Sequence, residues 1–151
     1  MSTPPSVTAQ SANRSTAIAG IGSKQIRDVP VDLRARMDPK QLRKMLKASL
    51  DNRQALYAVV AIIGSTEQGA VDPLTDILDL RREFERQGLS FVVHCDGAWG
   101  GYFATMIREQ KSTGLPKGQA SYAPTLALSE YTEKQLYAYE HADSITIDPH
   151  K

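Results

Sequence analysis

The sequence has little cysteine, almost no net charge and no long apolar run, and each shortage excludes a class of protein. Its 151 residues contain one cysteine, Cys95, so no disulfide forms within the chain, which fits a reducing compartment and predicts a cytoplasmic protein. The formal net charge is +1, and no long basic run indicates binding to nucleic acid or to anionic lipid. No apolar run approaches the ~20 residues that cross a bilayer.

The chain divides into a tail and one domain. Residues 1–16 are rich in Ser, Thr, Pro and Ala, with Arg14 as their only charge, which is typical of a disordered tail. They contain no apolar stretch of the kind that marks a secretory signal. We expect residues 17–151 to form part of a single α/β domain, because 41% of the chain is apolar and can supply a core.

Apolar runs alternate with capped amphipathic segments in this domain. Strands are predicted at 26–31, 56–63, 90–93 and 144–147, and the nearly continuous apolar run 56–63 is typical of a strand covered on both faces. Helices are predicted to start at Asp38-Pro39 and Asp72-Pro73, with Gly88 ending the second, and at Ser129 or Thr132. The strand–helix–strand order predicts a mainly parallel sheet flanked by helices.

Polar side chains follow three of the predicted strands. Thr66 follows the strand 56–63, Asp96 follows the next strand, and His150 and Lys151 follow the last. In open α/β sheets, ligands bind outside the carboxyl ends of the parallel strands. If these strands are neighbours, the three groups meet at one edge of the sheet.

The residue types predict a site for pyridoxal 5′-phosphate. A lysine such as Lys151 forms a Schiff base with an aldehyde cofactor. A carboxylate such as Asp96 keeps the pyridine nitrogen of that cofactor protonated. Ala98 is small enough for a flat ring to lie against the strand end, and Thr66 and His150 offer hydrogen bonds to the ring hydroxyl or the phosphate.

Each of these residues also has a simpler interpretation. Asp96 is equally compatible with a loop or helix-cap aspartate, and Lys151 with a plain C-terminal lysine. His94, inside an apolar strand, is typical of a hydrogen-bonded core histidine, and Cys95 of a small buried side chain. No third ligand stands at a metal-binding spacing from His94 and Asp96, so no metal site is expected.

Three ordered motifs resemble those of the group II pyridoxal-phosphate-dependent amino-acid decarboxylases. The stretch from His94 to Gly101 (HCDGAWGG) resembles the family's HVDAAYGG signature, and the last four residues, DPHK, resemble its cofactor-lysine motif. Gly64-Ser65-Thr66, followed by Gly69 and Asp72, resembles its GTT…G..D loop. The long segment before His141 looks most like that of tyrosine decarboxylase-like members, and the resemblance covers residues 17–151.

The resemblance implies a partial large domain of the type I aminotransferase-like fold, in a homodimer with active sites at the subunit interface. It implies a carboxy-lyase that decarboxylates an amino acid, aromatic by preference, with glutamate possible, and that binds no nucleic acid or membrane. Lys151 would carry the Schiff base and Asp96 would pair with the pyridine nitrogen. Ala98 would pack on the ring, and Thr66 and His150 would contact the cofactor.

Departures from the family pattern predict that the chain is a fragment with little or no turnover. No histidine precedes His94, whereas the family carries a ring-stacking histidine upstream of the threonine loop. Gly97 replaces a usual alanine and Cys95 a usual valine. Two alternatives stay open, namely a carbon–carbon lyase of the sphingoid-phosphate type and a non-catalytic truncation product.

Overall fold

The structure, a computed structural model, describes residues 25–107 and 128–149. In chain order these hold α1 (Pro39–Asp51), β1 (Ala58–Ile62), α2 (Leu74–Glu85), β2 (Val92–Asp96), a 3₁₀ helix (Gly101–Ile107), α3 (Glu130–Tyr137), a second 3₁₀ helix (Ala138–His141) and β3 (Ser144–Thr146). Within these ranges no helix is long and apolar enough to span a bilayer. The tail 1–16, His150 and Lys151 lie outside the described residues, so what the sequence predicts for them stays a prediction.

The three strands form one sheet in the order β1-β2-β3, and both neighbouring pairs are parallel. This confirms the predicted α/β architecture with a parallel sheet. β2 ends at Asp96, three residues later than predicted, and Asp96 pairs in register with Ile62 and Thr146. The three strands therefore end together, at what is called here the carboxyl edge.

The two faces of the sheet differ in burial. Val59, Ala61, Val93 and Cys95 are buried on one face, in the same cluster as the apolar side chains of the helices. On the opposite face, called here the open face, Val60 and Val92 are each 41% exposed. The prediction that the strand 56–63 is covered on both faces is therefore wrong for the described part of the chain. An apolar run permits cover on both faces but does not supply it.

Helix ends are set by local side chains at two of the three predicted sites. The Asp38 carboxylate accepts a hydrogen bond from the Lys40 N–H (2.8 Å) and caps α1, and the Ser129 hydroxyl accepts from the Thr132 N–H (3.1 Å) and caps α3. Gly88 follows α2 with a φ of +92°, as predicted.

The predicted cap of α2 and the predicted strand 26–31 are wrong. Pro73 occupies the N-cap position of α2 and offers no capping side chain, and the Thr75 N–H in the first turn donates instead to the side-chain oxygen of Gln135 (2.9 Å). Val31 forms only an isolated antiparallel bridge with Met37, because the chain turns between them. The Asp32 carboxylate accepts hydrogen bonds from the N–H groups of Arg34 (2.8 Å) and Arg36 (3.0 Å) and stabilises that turn.

Asp72 is buried and links two distant segments. Its two carboxylate oxygens accept hydrogen bonds from the N–H groups of Met37 (2.7 Å) and Ile62 (2.8 Å). Its own N–H donates to the Ile62 carbonyl oxygen (2.8 Å). Burial raises the pKa of Asp72 to about 6, because desolvation outweighs the two backbone hydrogen bonds that lower it. Asp72 thus holds the segment before α1 against the end of β1.

We expect the wild-type chain to lose stability relative to an Asp72→Asn variant as the pH rises from about 4 to about 6. The pKa is higher in the folded state, so the contribution of this group is complete below pH 4 and is lost as the pH passes through 6. At about 1.4 kcal/mol per pKa unit, the difference in free energy of unfolding changes by up to about 3 kcal/mol.

Urea unfolding at several pH values measures this difference. Asp38→Asn is the matched control, because asparagine also caps helices and the expected cost is a few tenths of a kcal/mol. If the free energies of unfolding of the wild type and of Asp72→Asn differ by the same amount from pH 4 to pH 7, the raised pKa of Asp72 is contradicted.

Candidate functional site

Asp96 lies half-buried at the carboxyl edge, on the open face. Its side chain points away from the core because the flanking strand positions alternate, and Val93 and Cys95 occupy the buried face. Oδ1 accepts a hydrogen bond from the Ala98 N–H (3.1 Å). Among the described residues, no donor is hydrogen-bonded to Oδ2. One carboxylate oxygen of Asp96 is therefore fixed by its own loop.

The loops that follow β1 and β2 touch through their backbones. A Cβ atom on Gly100 would lie 2.2 Å from the carbonyl oxygen of Ile63, and one on Gly64 would lie 2.8 Å from the Cα of Gly100. Gly64 also has a φ of +85°, which side chains rarely adopt. These two glycines are therefore required for the close approach that brings the Thr66 loop against the loop after Asp96.

A cleft of about 300 Å³ lies where these loops meet α3. Its walls are Ile63, Gly64, Ser65, Thr66, Gly69, Val71, Trp99, Gly100, Phe103, Leu128, Thr132 and Leu136. Thr66 is exposed at this cleft and makes no hydrogen bond with Asp96 in the part of the chain described. The structure thus places the two loops in contact but leaves the Thr66 hydroxyl in the cleft beside Asp96's loop.

His150 and Lys151 lie beyond the described residues, so the predicted meeting of Lys151 with Asp96 stays a prediction. What the structure gives is the path of the strand that precedes them. β3 runs parallel to β2, its Thr146 pairs with Asp96, and the Gly97 N–H donates to the Thr146 carbonyl oxygen (2.9 Å). The chain that leads to Lys151 therefore leaves the sheet at the same edge as Asp96.

His94 is a site residue that the sequence interpretation missed. It is not in the core; it is half-buried on the open face, two positions before Asp96 on the same strand. Its Nδ1 lies 2.7 Å from the Ser144 hydroxyl and its Nε2 lies 3.3 Å from the Thr146 hydroxyl. The alternation of side chains along a strand was the signal available, because it places His94 and Asp96 on one face.

Cys95, between His94 and Asp96 in the strand, is fully buried on the core face of the sheet. Burial, with a smaller contribution from the charge of Asp72, raises the pKa of its thiol to about 12. A thiol that stays protonated is a poor nucleophile, so the interpretation of Cys95 as a small buried side chain is confirmed.

The sequence profile of the pyridoxal-dependent decarboxylase conserved domain matches residues 1–119. The chain belongs to this family. The matched range contains Thr66, Asp96 and Ala98 and ends before β3.

Relatives of known activity agree with the family. The chain is 35% identical over 143 residues to L-tyrosine decarboxylase of Enterococcus faecalis, and the match covers 89% of this chain and 23% of that protein. It is 30% identical over 141 residues to cysteine sulfinic acid decarboxylase of Mus musculus, covering 93% of this chain and 23% of the relative. The chain thus spans about a quarter of the length of these relatives.

Solved structures of decarboxylases share the fold. The crystal structure of mouse CSAD in apo form aligns with a TM-score of 0.65 at 28% identity, over 93% of this chain and 24% of that one. Catharanthus roseus tryptophan decarboxylase in complex with L-tryptophan aligns with a TM-score of 0.65 at 22% identity, over 93% and 25% of the two chains. At that identity the second likeness concerns the fold alone.

Pyridoxal phosphate is the cofactor that this family implies, and the residues at the carboxyl edge suit it. A protonated pyridine nitrogen is a cationic donor, and Asp96 presents an anionic acceptor whose Oδ1 is fixed by the Ala98 N–H. Ala98, two positions on, adds only a methyl group beside that oxygen. The carboxylate of Asp96 and the small side chain of Ala98 therefore fit the ring of the cofactor.

We expect Gly100→Ala to destabilise the chain far more than Gly101→Ala. The new methyl group at Gly100 would collide with the backbone of Ile63, which cannot move without displacing β1, and the expected loss is about 3 kcal/mol of unfolding free energy. At Gly101 the nearest atom, 2.7 Å away, belongs to the flexible side chain of Ile147, and the expected loss is below about 1 kcal/mol. Urea unfolding of both variants measures this, and equal losses would show that the two loops do not touch as described.

Proposed function

We propose that this chain forms the cofactor-binding part of the large domain of a pyridoxal-phosphate-dependent amino-acid decarboxylase, a carboxy-lyase. The observation that carries the proposal is the half-buried Asp96 carboxylate at the carboxyl edge of a parallel sheet, with Oδ1 fixed by Ala98. A partly desolvated carboxylate at a ligand-binding edge favours a cationic ligand. Membership of the family supplies the identity of that ligand.

Pyridoxal phosphate, when bound, supplies an electron sink for the electron pair left behind when the substrate carboxylate departs as CO₂. Asp96 holds a proton at the pyridine nitrogen, and its position is kept by the Ala98 N–H and by the Ile63 N–H, which donates to the Asp96 carbonyl oxygen (2.8 Å). Ala98 lies against the ring. Thr66, in the loop that packs on Gly100, donates a hydrogen bond to a cofactor oxygen.

Lys151 would hold the cofactor covalently, and His150 would contact it. The path of β3 supports this, because Thr146 pairs with Asp96 and the five residues that follow can extend at most ~17 Å. Lys151 is therefore tethered within reach of the carboxyl edge.

An amino acid is the substrate, with an aromatic side chain favoured. The L-tyrosine decarboxylase of E. faecalis is 35% identical to this chain, against 30% for the cysteine sulfinic acid decarboxylase of mouse. Both act by decarboxylation, which favours that reaction over carbon–carbon lysis of a phosphorylated sphingoid base.

The exposed apolar side chains of the open face, such as Val60 and Val92, support burial against further polypeptide in a homodimer. We place the protein in the cytoplasm on the basis of its single, buried cysteine.

Reduction with borohydride in the presence of pyridoxal phosphate is expected to label Lys151. Peptide mass spectrometry identifies the labelled residue. Lys151→Arg should abolish the label, since a guanidinium forms no Schiff base, and Asp96→Asn should weaken retention of the cofactor by about tenfold or more before reduction. Lys134→Arg, on the exposed side of α3, is the matched control and should keep the label. Labelling spread over surface lysines, or no uptake at all, favours the non-catalytic alternative.

We expect the isolated 151-residue chain to release little or no CO₂ from L-tyrosine, L-tryptophan, L-glutamate or cysteine sulfinate. It spans about a quarter of its relatives, and no histidine precedes His94 to stack on the ring in the way that the family resemblance implies. Capture of ¹⁴CO₂ from carboxyl-labelled substrates measures this, with a bacterial L-tyrosine decarboxylase as the positive control. Sustained turnover would overturn the view that the chain is an incomplete enzyme.

A further inference from the structure

A polar cluster on the open face joins β2 to β3 beside Asp96. The imidazole of His94 lies between two hydroxyl groups of β3, with Nδ1 2.7 Å from Ser144 Oγ and Nε2 3.3 Å from Thr146 Oγ1. A neutral imidazole donates through one nitrogen and accepts through the other, and a hydroxyl can do either. Both contacts are therefore satisfied in either tautomer.

Besides the Ile147 side chain, which packs against Gly101 just after the strand, described residues hold β3 at both of its ends. Its beginning is anchored by Asp143, whose carboxylate accepts hydrogen bonds from the Val93 N–H (2.7 Å) and from the guanidinium of Arg81. Further along, Ile145 is 40% exposed, so apolar burial contributes little there. At Thr146 the strand is held by the backbone bond from Gly97 and by the contact with His94.

We propose that His94 is a positioning residue, which fixes the carboxyl end of β3 beside Asp96 through Thr146 and thereby sets where the chain toward Lys151 leaves the sheet. Thr146 is the residue that pairs in register with Asp96, so a shift of Thr146 moves the departing chain relative to that carboxylate. This inference rests on the proposed function, in which Asp96 and Lys151 hold one cofactor. In this proposal His94 acts through Thr146 and not by contact with the cofactor.

Two substitutions at His94 separate its two contacts. The amide of glutamine reaches about as far as Nε2, so His94→Gln keeps the contact with Thr146. The shorter asparagine matches Nδ1, so His94→Asn keeps only the contact with Ser144. Thr146→Val removes the hydroxyl of Thr146 at constant shape, and Ser144→Ala removes the other hydroxyl.

The first readout is the binding of pyridoxal phosphate, measured by the quenching of protein fluorescence. We expect His94→Asn and Thr146→Val each to raise the dissociation constant about tenfold, the effect of one hydrogen bond, and the double variant to be no worse than either. His94→Gln and Ser144→Ala should stay within about threefold of wild type. Melting temperatures of the cofactor-free chains should differ by only a few degrees, because the cluster lies outside the core.

Hydrogen exchange at the Gly97 amide, which donates to Thr146, is the second readout and needs no cofactor. We expect exchange about tenfold faster in His94→Asn and Thr146→Val, with the Val93 amide at the other end of the pair unchanged. Unchanged exchange, or cofactor binding equal to wild type in both variants, would overturn the role of His94. A wild-type chain that takes up no cofactor would instead overturn the proposed function, and with it the link from His94 to the lysine.

Discussion

The site depends on one backbone contact that no side chain could replace, the approach of Gly100 to the carbonyl oxygen of Ile63. Because a Cβ atom at Gly100 would lie 2.2 Å from that oxygen, only glycine allows the loop after β2 to rest on the end of β1. The loop that carries Thr66 is held in turn by Gly64, which also packs against Gly100. Two strand ends thus become one surface, and the positions of Asp96 and Thr66 follow from it.

Two carboxylates near this surface show how surroundings decide a role. Both oxygens of Asp72 accept hydrogen bonds from backbone N–H groups in the interior, and burial raises its pKa to about 6. Asp96 is half-buried, and only its Oδ1 accepts a hydrogen bond from a described residue. A carboxylate whose two oxygens both accept hydrogen bonds from the protein interior stabilises the fold, whereas one with an accessible oxygen at a strand end can bind a ligand. This difference cannot be read from the sequence, because Asp72-Pro73 has the same pattern as the true cap at Asp38.

What the sequence predicted correctly depends on local rules. Alternation of apolar runs with capped segments predicted the parallel sheet, the cap at Asp38 and the left-handed Gly88, and the order of the motifs indicated the family. The failures involve partners far away in the chain. Asp72 bonds Met37, 35 residues earlier, and His94 bonds Ser144, 50 residues later. Neither partner can be read from a local pattern, and so the sequence predicts a helix cap at Asp72 and a core side chain at His94.

Along β2 the open face of the sheet changes from apolar to polar, whereas the neighbouring β1 stays apolar at Val60 and Ile62. The change along β2 connects the fold to the proposed chemistry. Near the start of β2 the open face is apolar and exposed at Val92, where cover by further polypeptide would be favourable. Toward the carboxyl edge it becomes polar at His94 and Asp96, where an apolar cover would leave hydrogen-bonding groups without partners. A flat, charged ring with polar substituents suits that polar end. The same strand thus separates the region that favours protein contact from the region that favours a cofactor.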